Sequence, residues 1–259
     1  MKRLIASDID GTLLKDGKQT LDNDFFDLIN TLHAQGVLFV AASGRQLASL
    51  KMLFEPLADN IVFIAENGAY VSYKNEIIHE SCMNKSLVHG IVKYILSNKK
   101  YEPIISTKDT VYLSKNFYDN FRKGNEKILY TSTITDDFFG ITEDVLKITA
   151  CSFDGFTKED KMNIDETWKK YVNTTMSSSI FFDFMNLGVS KGVALKSVLK
   201  LFGLSSYDAI AFGDNFNDIS MFESVDNSFV MESADDLVKQ HAKFVVSDVP
   251  ETIRKIYNL

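Results

Sequence analysis

Two carboxylates stand two positions apart near the start of the chain, in the segment Asp8-Ile9-Asp10-Gly11-Thr12. They follow the apolar residues Leu4-Ile5-Ala6, and this pattern predicts a short buried strand that ends in an acidic loop. Carboxylates this close repel each other unless a cation lies between them. Mg2+ is the hard divalent ion that oxygen ligands usually hold beside phosphate. The segment therefore predicts a metal-dependent phosphoryl-transfer site at the end of the first strand.

The elements around this segment alternate between strand and helix. Val37–Ala42 and Ile61–Ala65 are continuous apolar runs, which are typical of strands buried on both faces. Helical spacing of apolar residues lies between them and before them, and the alternation returns after Gly188. This rhythm predicts a doubly wound parallel sheet, in which the loops at the carboxyl ends of the strands meet at one edge.

The pattern changes near Met83. From there to about Asn186 an amphipathic helix and several short strands occur without the regular crossover rhythm. The sequence therefore predicts an α/β protein with a Rossmann-like doubly wound core, residues 1–82 and 187–259, and an inserted α+β domain, residues 83–186.

Composition excludes several classes of partner. The chain has 259 residues and a net charge of -7, which argues against a nucleic acid or an anionic membrane as partner. Cys82 and Cys151 lack metal-ligand spacing, so we expect neither a disulfide framework nor a zinc site. We expect the protein to lie in a reducing compartment, the cytoplasm. We expect no signal peptide and no apolar run of about 20 residues that could span a bilayer. The oligomeric state is left open.

Four segments, taken together, identify a family resemblance. In order they are Asp8-Ile9-Asp10-Gly11-Thr12, Ser43, Lys191 and Gly213-Asp214-Asn215-Phe216-Asn217-Asp218. With the insertion between the second and third segments, the chain resembles the haloacid dehalogenase superfamily, in its Cof-type phosphatase branch with a large cap. The resemblance covers nearly the whole chain and implies that residues 83–186 are the cap.

The resemblance implies a role for each main residue. Asp8 is the expected nucleophile, and Asp10 is the expected general acid, which later deprotonates the attacking water. Lys191 offsets negative charge on Asp8 and the phosphoryl group. Asp8, Asp214 and the backbone carbonyl of Asp10 are expected to bind Mg2+.

Further residues are expected around the phosphate or the substrate. Ser43 should donate a hydrogen bond to a phosphoryl oxygen, although a helix N-cap is an alternative role. Arg45 either contacts the substrate or faces solvent. Asp218 either orients its neighbours or caps the helix Ile219–Phe222. The predicted phosphate or substrate contacts are Thr12, Gly44, Arg45, Asn67 and Asn217, with Asp218 behind them.

The predicted function is therefore that of a Mg2+-dependent phosphatase acting on small phosphorylated metabolites, with sugar phosphates favoured. The cap would close over the leaving group and set specificity. Two alternatives stay open: a phosphomutase of the same superfamily, and a non-catalytic protein that binds a phosphorylated metabolite.

Overall fold

The computed structural model describes residues 3–15, 17–121 and 132–259. The chain divides into two compact units, Met1–His79 with Ser190–Leu259, and Glu80–Val189. The second unit is thus an insertion in the first. The sequence predicts the boundaries at residues 82/83 and 186/187, and the assignment of the inserted unit as a cap stays a prediction.

The strands and helices have the following bounds. The described strands are β1 (Arg3–Ser7), β2 (Val37–Ala42), β3 (Ile61–Ala65), β4 (Tyr70–Tyr73), β5 (Glu76–Glu80), β6 (Glu102–Thr107), β7 (Val111–Leu113), β8 (Ser132–Ile134), β9 (Val145–Cys151), β10 (Val172–Ser178), β11 (Phe181–Asn186), β12 (Ala209–Gly213), β13 (Asn227–Met231) and β14 (Phe244–Val246). The described helices are α1 (Asn23–Ala34), α2 (Leu47–Leu53), α3 (Lys85–Ser97), α4 (Lys115–Phe121), α5 (Lys158–Trp168), α6 (Lys191–Phe202), α7 (Ile219–Phe222), α8 (Asp236–Lys239) and α9 (Val249–Tyr257).

The larger sheet has the order β14-β13-β12-β1-β2-β3-β4-β5 within the described residues. The strands from β14 to β3 are parallel, and β4 runs antiparallel to β3. Helices connect most of the parallel strands, which is the crossover pattern of a doubly wound sheet. The predicted α/β class, with a second sheet in the inserted unit, is confirmed.

The strand order reverses at β1. From β1 the chain continues to β2 and β3 on one side of the sheet, whereas β12 and β13 lie on the other side. The register places Ser7 of β1 beside Phe212 of β12. Ligands of doubly wound proteins bind beyond the carboxyl ends of the strands at such a reversal. The loops that begin at Asp8 and Asp214 leave the sheet at this point.

The continuous apolar strands arise because both faces of the sheet are covered. Every residue of β2 and β3 is buried. On one face, Phe25 of α1 packs edge-on against Phe39 of β2, with ring centroids 5.7 Å apart. On the other face, Leu195 and Val198 of α6 belong to the same apolar cluster as Val40. The predicted alternation of strand and helix therefore reflects burial on both sides.

The second unit contains a largely antiparallel sheet. Among the described residues its strand order is β10-β11-β9-β6-β7-β8, and only β7 and β8 pair in parallel. Helix α3 buries Val88, Ile91, Val92 and Ile95 in one apolar cluster with Ile105 and Ile148 of the sheet. None of the described helices has both the length and the apolar character needed to cross a membrane.

Three described strands of the second unit, β6, β8 and β10, escape prediction from the sequence. Strand β6 begins Glu102-Pro103, and proline is usually a signal against a strand. Strand β10 reads Val-Asn-Thr-Thr-Met-Ser-Ser and is only partly buried, so it lacks a clear apolar alternation.

The start of α6 packs unusually close to α7. A Cβ atom at Gly192 would lie 1.9 Å from the carbonyl oxygen of Ser220. The Gly192 amide donates to Ser220 Oγ at 3.1 Å, and Ser224 Oγ donates to the Gly192 carbonyl at 3.2 Å. Only glycine permits this approach, which fixes the position of the preceding residue, Lys191.

We predict that Gly192→Ala lowers the free energy of unfolding by about 1–3 kcal/mol, because the added methyl group forces the two helices apart. Urea denaturation followed by circular dichroism measures the change. The matched control is Val193→Ala on the same helix, where the side chain is 48% exposed and the expected change is within about 0.5 kcal/mol. Equal stability of Gly192→Ala and the parent protein would contradict the argument.

Candidate active site

Adjacent strands bring Asp8 and Asp214 together. The Asp8 amide donates to the carbonyl of Phe212, the residue before Gly213, at 2.9 Å. Gly11 has a φ of +89°, and a Cβ there would lie 2.3 Å from an Asp214 carboxylate oxygen. The first acidic loop can therefore close onto Asp214 only because residue 11 is glycine.

Thr12 supports Asp214 in this arrangement. The threonine is fully buried, and its Oγ1 donates to Asp214 Oδ1 at 2.6 Å. The sequence predicts a contact between Thr12 and the phosphate, whereas the structure directs the hydroxyl to the predicted metal ligand. The reason is the close approach at Gly11, which places the next side chain against Asp214.

Lys191 lies at the centre of the site. It is the first residue of α6, and Ser190 caps that helix by accepting from the Val193 amide at 3.2 Å. The Lys191 Nζ is completely buried and donates to Asp8 Oδ1 at 2.6 Å and to Asp218 Oδ1 at 2.7 Å. Burial alone lowers the pKa of Lys191, but the charges of Asp218 and Asp8 more than reverse this and raise its pKa above the ordinary value. The lysine is therefore held as a cation.

The Asp218 carboxylate links Lys191 to the backbone of its own loop. One carboxylate oxygen accepts from Lys191, and the other accepts from the amides of Asp214 at 2.9 Å and Asn215 at 3.0 Å. The alternative that Asp218 caps the helix Ile219–Phe222 is wrong, because its side chain makes no capping bond to that helix. Both oxygens are already used, and this geometry suits a residue that orients Asp214 and Lys191.

Three carboxylates converge around one ammonium group. Oxygens of Asp8, Asp214 and Asp218 all lie within 4.8 Å of one another. Burial, followed by the charge of Asp218, raises the pKa of Asp8 well above its usual range, against the opposing effect of Lys191. The same two causes raise the pKa of Asp214 to about 6. Negative charge thus exceeds positive charge, and the cluster fits a hard divalent cation.

The Asp10 carboxylate takes a different position. It lies outside the acidic cluster found among the described residues, and both of its oxygens accept hydrogen bonds from Arg45, at 2.7 Å from Nε and 2.5 Å from a terminal nitrogen. Arg45 therefore contacts the predicted general acid, and its contact with the substrate stays a prediction. The alternative that Arg45 faces solvent is wrong, because its side chain is 13% exposed.

The loop after β2 precedes helix α2 and does not form the start of that helix. Ser43 is buried, and its Oγ accepts the Arg45 amide at 3.1 Å. Helix α2 begins only at Leu47, after Gln46, so the Arg45 amide does not lie at the helix start. Ser43 therefore does not cap α2. The Ser43 hydroxyl is the acceptor in the bond from the Arg45 amide, so this bond does not use the hydroxyl hydrogen.

The loop after β3 packs against its neighbours through Asn67. Asn67 and Gly68 form a tight turn, with φ values of +55° and +103°. The Asn67 amide donates to the Ser43 carbonyl at 3.0 Å, and a Cβ at Gly44 would lie 3.2 Å from Asn67 Oδ1. Asn217 Nδ2 donates to Asn67 Oδ1 at 3.0 Å. These predicted phosphate contacts thus lie together, and their roles stay predictions.

Comparison with known proteins identifies the family to which the sequence is similar. A family model of haloacid dehalogenase-like hydrolases matches residues 5–252. A 5-amino-6-(5-phospho-D-ribitylamino)uracil phosphatase of Escherichia coli strain K12 is 28% identical over 242 residues, which are 93% of this chain and 89% of the relative.

Solved structures share the architecture. The crystal structure of a protein from Streptococcus mutans UA159 has a TM-score of 0.90 with 25% identity, over 100% of both chains. A solved sugar phosphatase of haloacid dehalogenase subclass IIB has a TM-score of 0.83 with 19% identity, also over 100% of both chains. At that identity the second likeness concerns the fold alone.

Removing the Thr12 hydroxyl should weaken metal binding at the predicted site. We expect Thr12→Val to raise the Mg2+ concentration needed for half-maximal activity by about tenfold, because residues that orient a ligand typically contribute 10–100-fold to affinity. Thr12→Ser, which keeps the hydroxyl, is the matched control and should stay close to the parent protein. Magnesium titration of the phosphatase rate measures the effect. An unchanged requirement in Thr12→Val would show that the bond to Asp214 is incidental.

Stabilisation by Mg2+ should depend on pH. The pKa of Asp214 is about 6 in the folded protein, against an ordinary value of 3.8. This group therefore stabilises the metal-free fold below its ordinary pKa, and the contribution is lost as pH rises through about 6. A divalent ion binds the ionised carboxylates, so Mg2+ should raise the melting temperature more at pH 7.5 than at pH 5.

Thermal melts in EDTA and in Mg2+ at both pH values test this prediction. Asp214→Asn is the control and should abolish most of the Mg2+-dependent shift. A shift of the same size at both pH values, or a larger one at low pH, would count against ionised carboxylates as the ligands.

Proposed function

Because the chain belongs to the haloacid dehalogenase-like hydrolase family, we propose that it is a Mg2+-dependent phosphatase that hydrolyses small phosphorylated metabolites. The observation that carries the proposal is the setting of Asp8, a buried carboxylate at the carboxyl end of the central strand. Its Oδ1 lies 2.6 Å from the Lys191 ammonium. The position suits a nucleophile because the cation offsets the negative charge that gathers when phosphate approaches.

The proposed reaction has two displacements at phosphorus. In the first, an Asp8 oxygen bonds to phosphorus as the bond from phosphorus to the ester oxygen breaks, and Asp10 gives its proton to that oxygen. The products are the free alcohol and phosphorylated Asp8. In the second, water attacks phosphorus, Asp10 takes a proton from the water, and phosphate leaves with Asp8 restored.

The remaining residues manage charge. Lys191 keeps its ammonium against Asp8 in both displacements, since Asp218 holds it from the other side. Asp8, Asp214 and the backbone carbonyl of Asp10 would hold Mg2+, which when bound adds positive charge beside the phosphoryl oxygens. Ser43 is the proposed neutral contact to those oxygens. Asn67 packs beside it, and Asn217 donates to Asn67.

The substrate class follows from the relatives and from the insertion. The Escherichia coli relative is a phosphatase of a compound with a 5-phospho-D-ribitylamino group, which is a phosphate ester of a polyhydroxyl chain. We extend this chemistry to sugar phosphates and related monoesters, and we assign substrate selection to Glu80–Val189. The two cysteines, Cys82 and Cys151, are free thiols, which agrees with a cytoplasmic enzyme.

Replacing the nucleophile tests the proposal. We expect Asp8→Asn to lower kcat for para-nitrophenyl phosphate by more than about a thousandfold, because an amide cannot form the covalent intermediate. Lys191 keeps its bond to Asp218, so the circular dichroism spectrum and the melting temperature should stay near those of the parent protein. The matched control is Asp27→Asn on the exposed side of α1, which should leave the rate unchanged.

The assay separates the alternatives. Hydrolysis that requires Mg2+ and disappears in Asp8→Asn supports the proposal. Retained hydrolysis in Asp8→Asn would refute the nucleophile. Activity that depends on a sugar bisphosphate activator would identify a phosphomutase, and no hydrolysis across a broad panel of phosphate esters would identify a non-catalytic binding protein.

A further inference from the structure

The contact between Arg45 and Asp10 has the geometry of a specific clamp. Arg45 Nε donates to Asp10 Oδ2 at 2.7 Å, and a terminal nitrogen donates to Oδ1 at 2.5 Å, so each carboxylate oxygen has its own donor. Paired bonds of this kind fix the plane of the carboxylate as well as its position. The arginine side chain is 13% exposed and that of Asp10 is 54% exposed. An exposed aspartate that would otherwise rotate is thus held by a largely buried partner.

Arg45 is itself fixed by the loops that follow β2 and β3. Its amide donates to Ser43 Oγ at 3.1 Å, and its carbonyl accepts from the Glu66 amide at 3.0 Å. The Ser43 amide donates to the carbonyl of Ile64, at the end of β3, at 2.8 Å. Two neighbouring strands of the sheet therefore determine where the guanidinium lies. Through its two bonds to Asp10, the guanidinium in turn fixes the loop that follows β1.

We propose that Arg45 is a positioning residue that acts through Asp10, and that it sets the orientation from which Asp10 transfers its proton. This inference rests on the proposed function, in which Asp10 is the acid and the base. A guanidinium does not give up a proton at physiological pH, so Arg45 cannot serve as the acid itself. Proton transfer requires the carboxyl oxygen to lie within hydrogen-bond reach of the leaving oxygen, and a misplaced group loses much of its effect.

The inference separates Arg45 from a residue that binds the phosphate. A phosphate contact would help every ester equally, because all esters share the phosphoryl group. A residue that acts through Asp10 helps most when the leaving oxygen needs a proton. Phenyl phosphate and para-nitrophenyl phosphate share the phosphoryl group and the ring, but they differ in how much the leaving oxygen needs a proton. The nitro group stabilises the departing phenolate, so para-nitrophenyl phosphate needs protonation less.

The experiment uses the full chain with Mg2+ and measures kcat/KM for both esters, which reports the transfer of the phosphoryl group to Asp8. Four proteins form a double-mutant cycle: the parent, Arg45→Gln, Asp10→Asn and the double variant. We expect Arg45→Gln to lower kcat/KM for phenyl phosphate by about 10–100-fold, within the range that acid catalysis contributes. For para-nitrophenyl phosphate the expected loss is about threefold or less, because that leaving group needs little protonation.

In the Asp10→Asn background the same substitution should have almost no effect on either ester, because the group through which Arg45 acts is missing. Arg45→Lys should recover only part of the phenyl phosphate rate, since an ammonium group cannot hold both oxygens in one plane. It also serves as the second variant if Arg45→Gln does not fold. Arg254→Gln is the matched control, because Arg254 lies on α9 and donates to the carbonyl of Asp24, and it should leave both rates unchanged.

Two results would overturn the inference while the proposed function stands. One is an equal loss for both esters in Arg45→Gln. The other is a full loss that persists in the Asp10→Asn background. Either result would make Arg45 a phosphate contact. If the parent protein hydrolyses neither ester, the proposed function fails and the inference fails with it.

Discussion

The structure depends on one buried ion pair network, in which the Lys191 ammonium lies between Asp8 and Asp218. Without the Lys191 ammonium, the two carboxylates would be uncompensated charges away from water, which is strongly unfavourable. The fold therefore has to deliver all three side chains to the same place. It does so from three separate elements: the end of β1, the start of α6 and the loop after β12. The same network supplies the cation that the proposed chemistry requires.

Sheet topology and close backbone approaches accomplish this delivery. The reversal of strand order at β1 puts the loops after β1 and β12 side by side. Glycines then let the elements approach until their polar groups meet: Gly11 against Asp214, Gly192 against Ser220, and Gly68 against the Ser190 carbonyl, where a Cβ would lie 2.4 Å away. Side chains at these positions would push apart the groups that form the site. The acidic cluster, with raised pKa values at Asp8 and Asp214, is the electrostatic consequence of that compactness.

Much of the first unit could be predicted because its signals are local. The runs Val37–Ala42 and Ile61–Ala65 are strands with the predicted bounds, and the helical spacing before Ala34 corresponds to α1. Burial on both faces makes such strands apolar throughout, so they stand out from their surroundings. Less of the second unit could be predicted from the sequence. Its strands β6 and β10 carry a proline and a run of small polar residues, and they are defined by pairing with β9 and β11, which no local pattern records.

The sequence by itself determined which residue types follow which strands, the α/β class and the family to which the chain belongs. Only the tertiary structure decided how those residues pair. It turned Thr12 towards Asp214 across 202 positions, Arg45 towards Asp10 across 35 positions, and Asp218 towards Lys191 and the backbone of its own loop. The physical reason is that periodicity and spacing report the burial of one element at a time. A hydrogen bond depends on the distance between two atoms, and strand order and backbone approach set that distance only when the whole chain is folded.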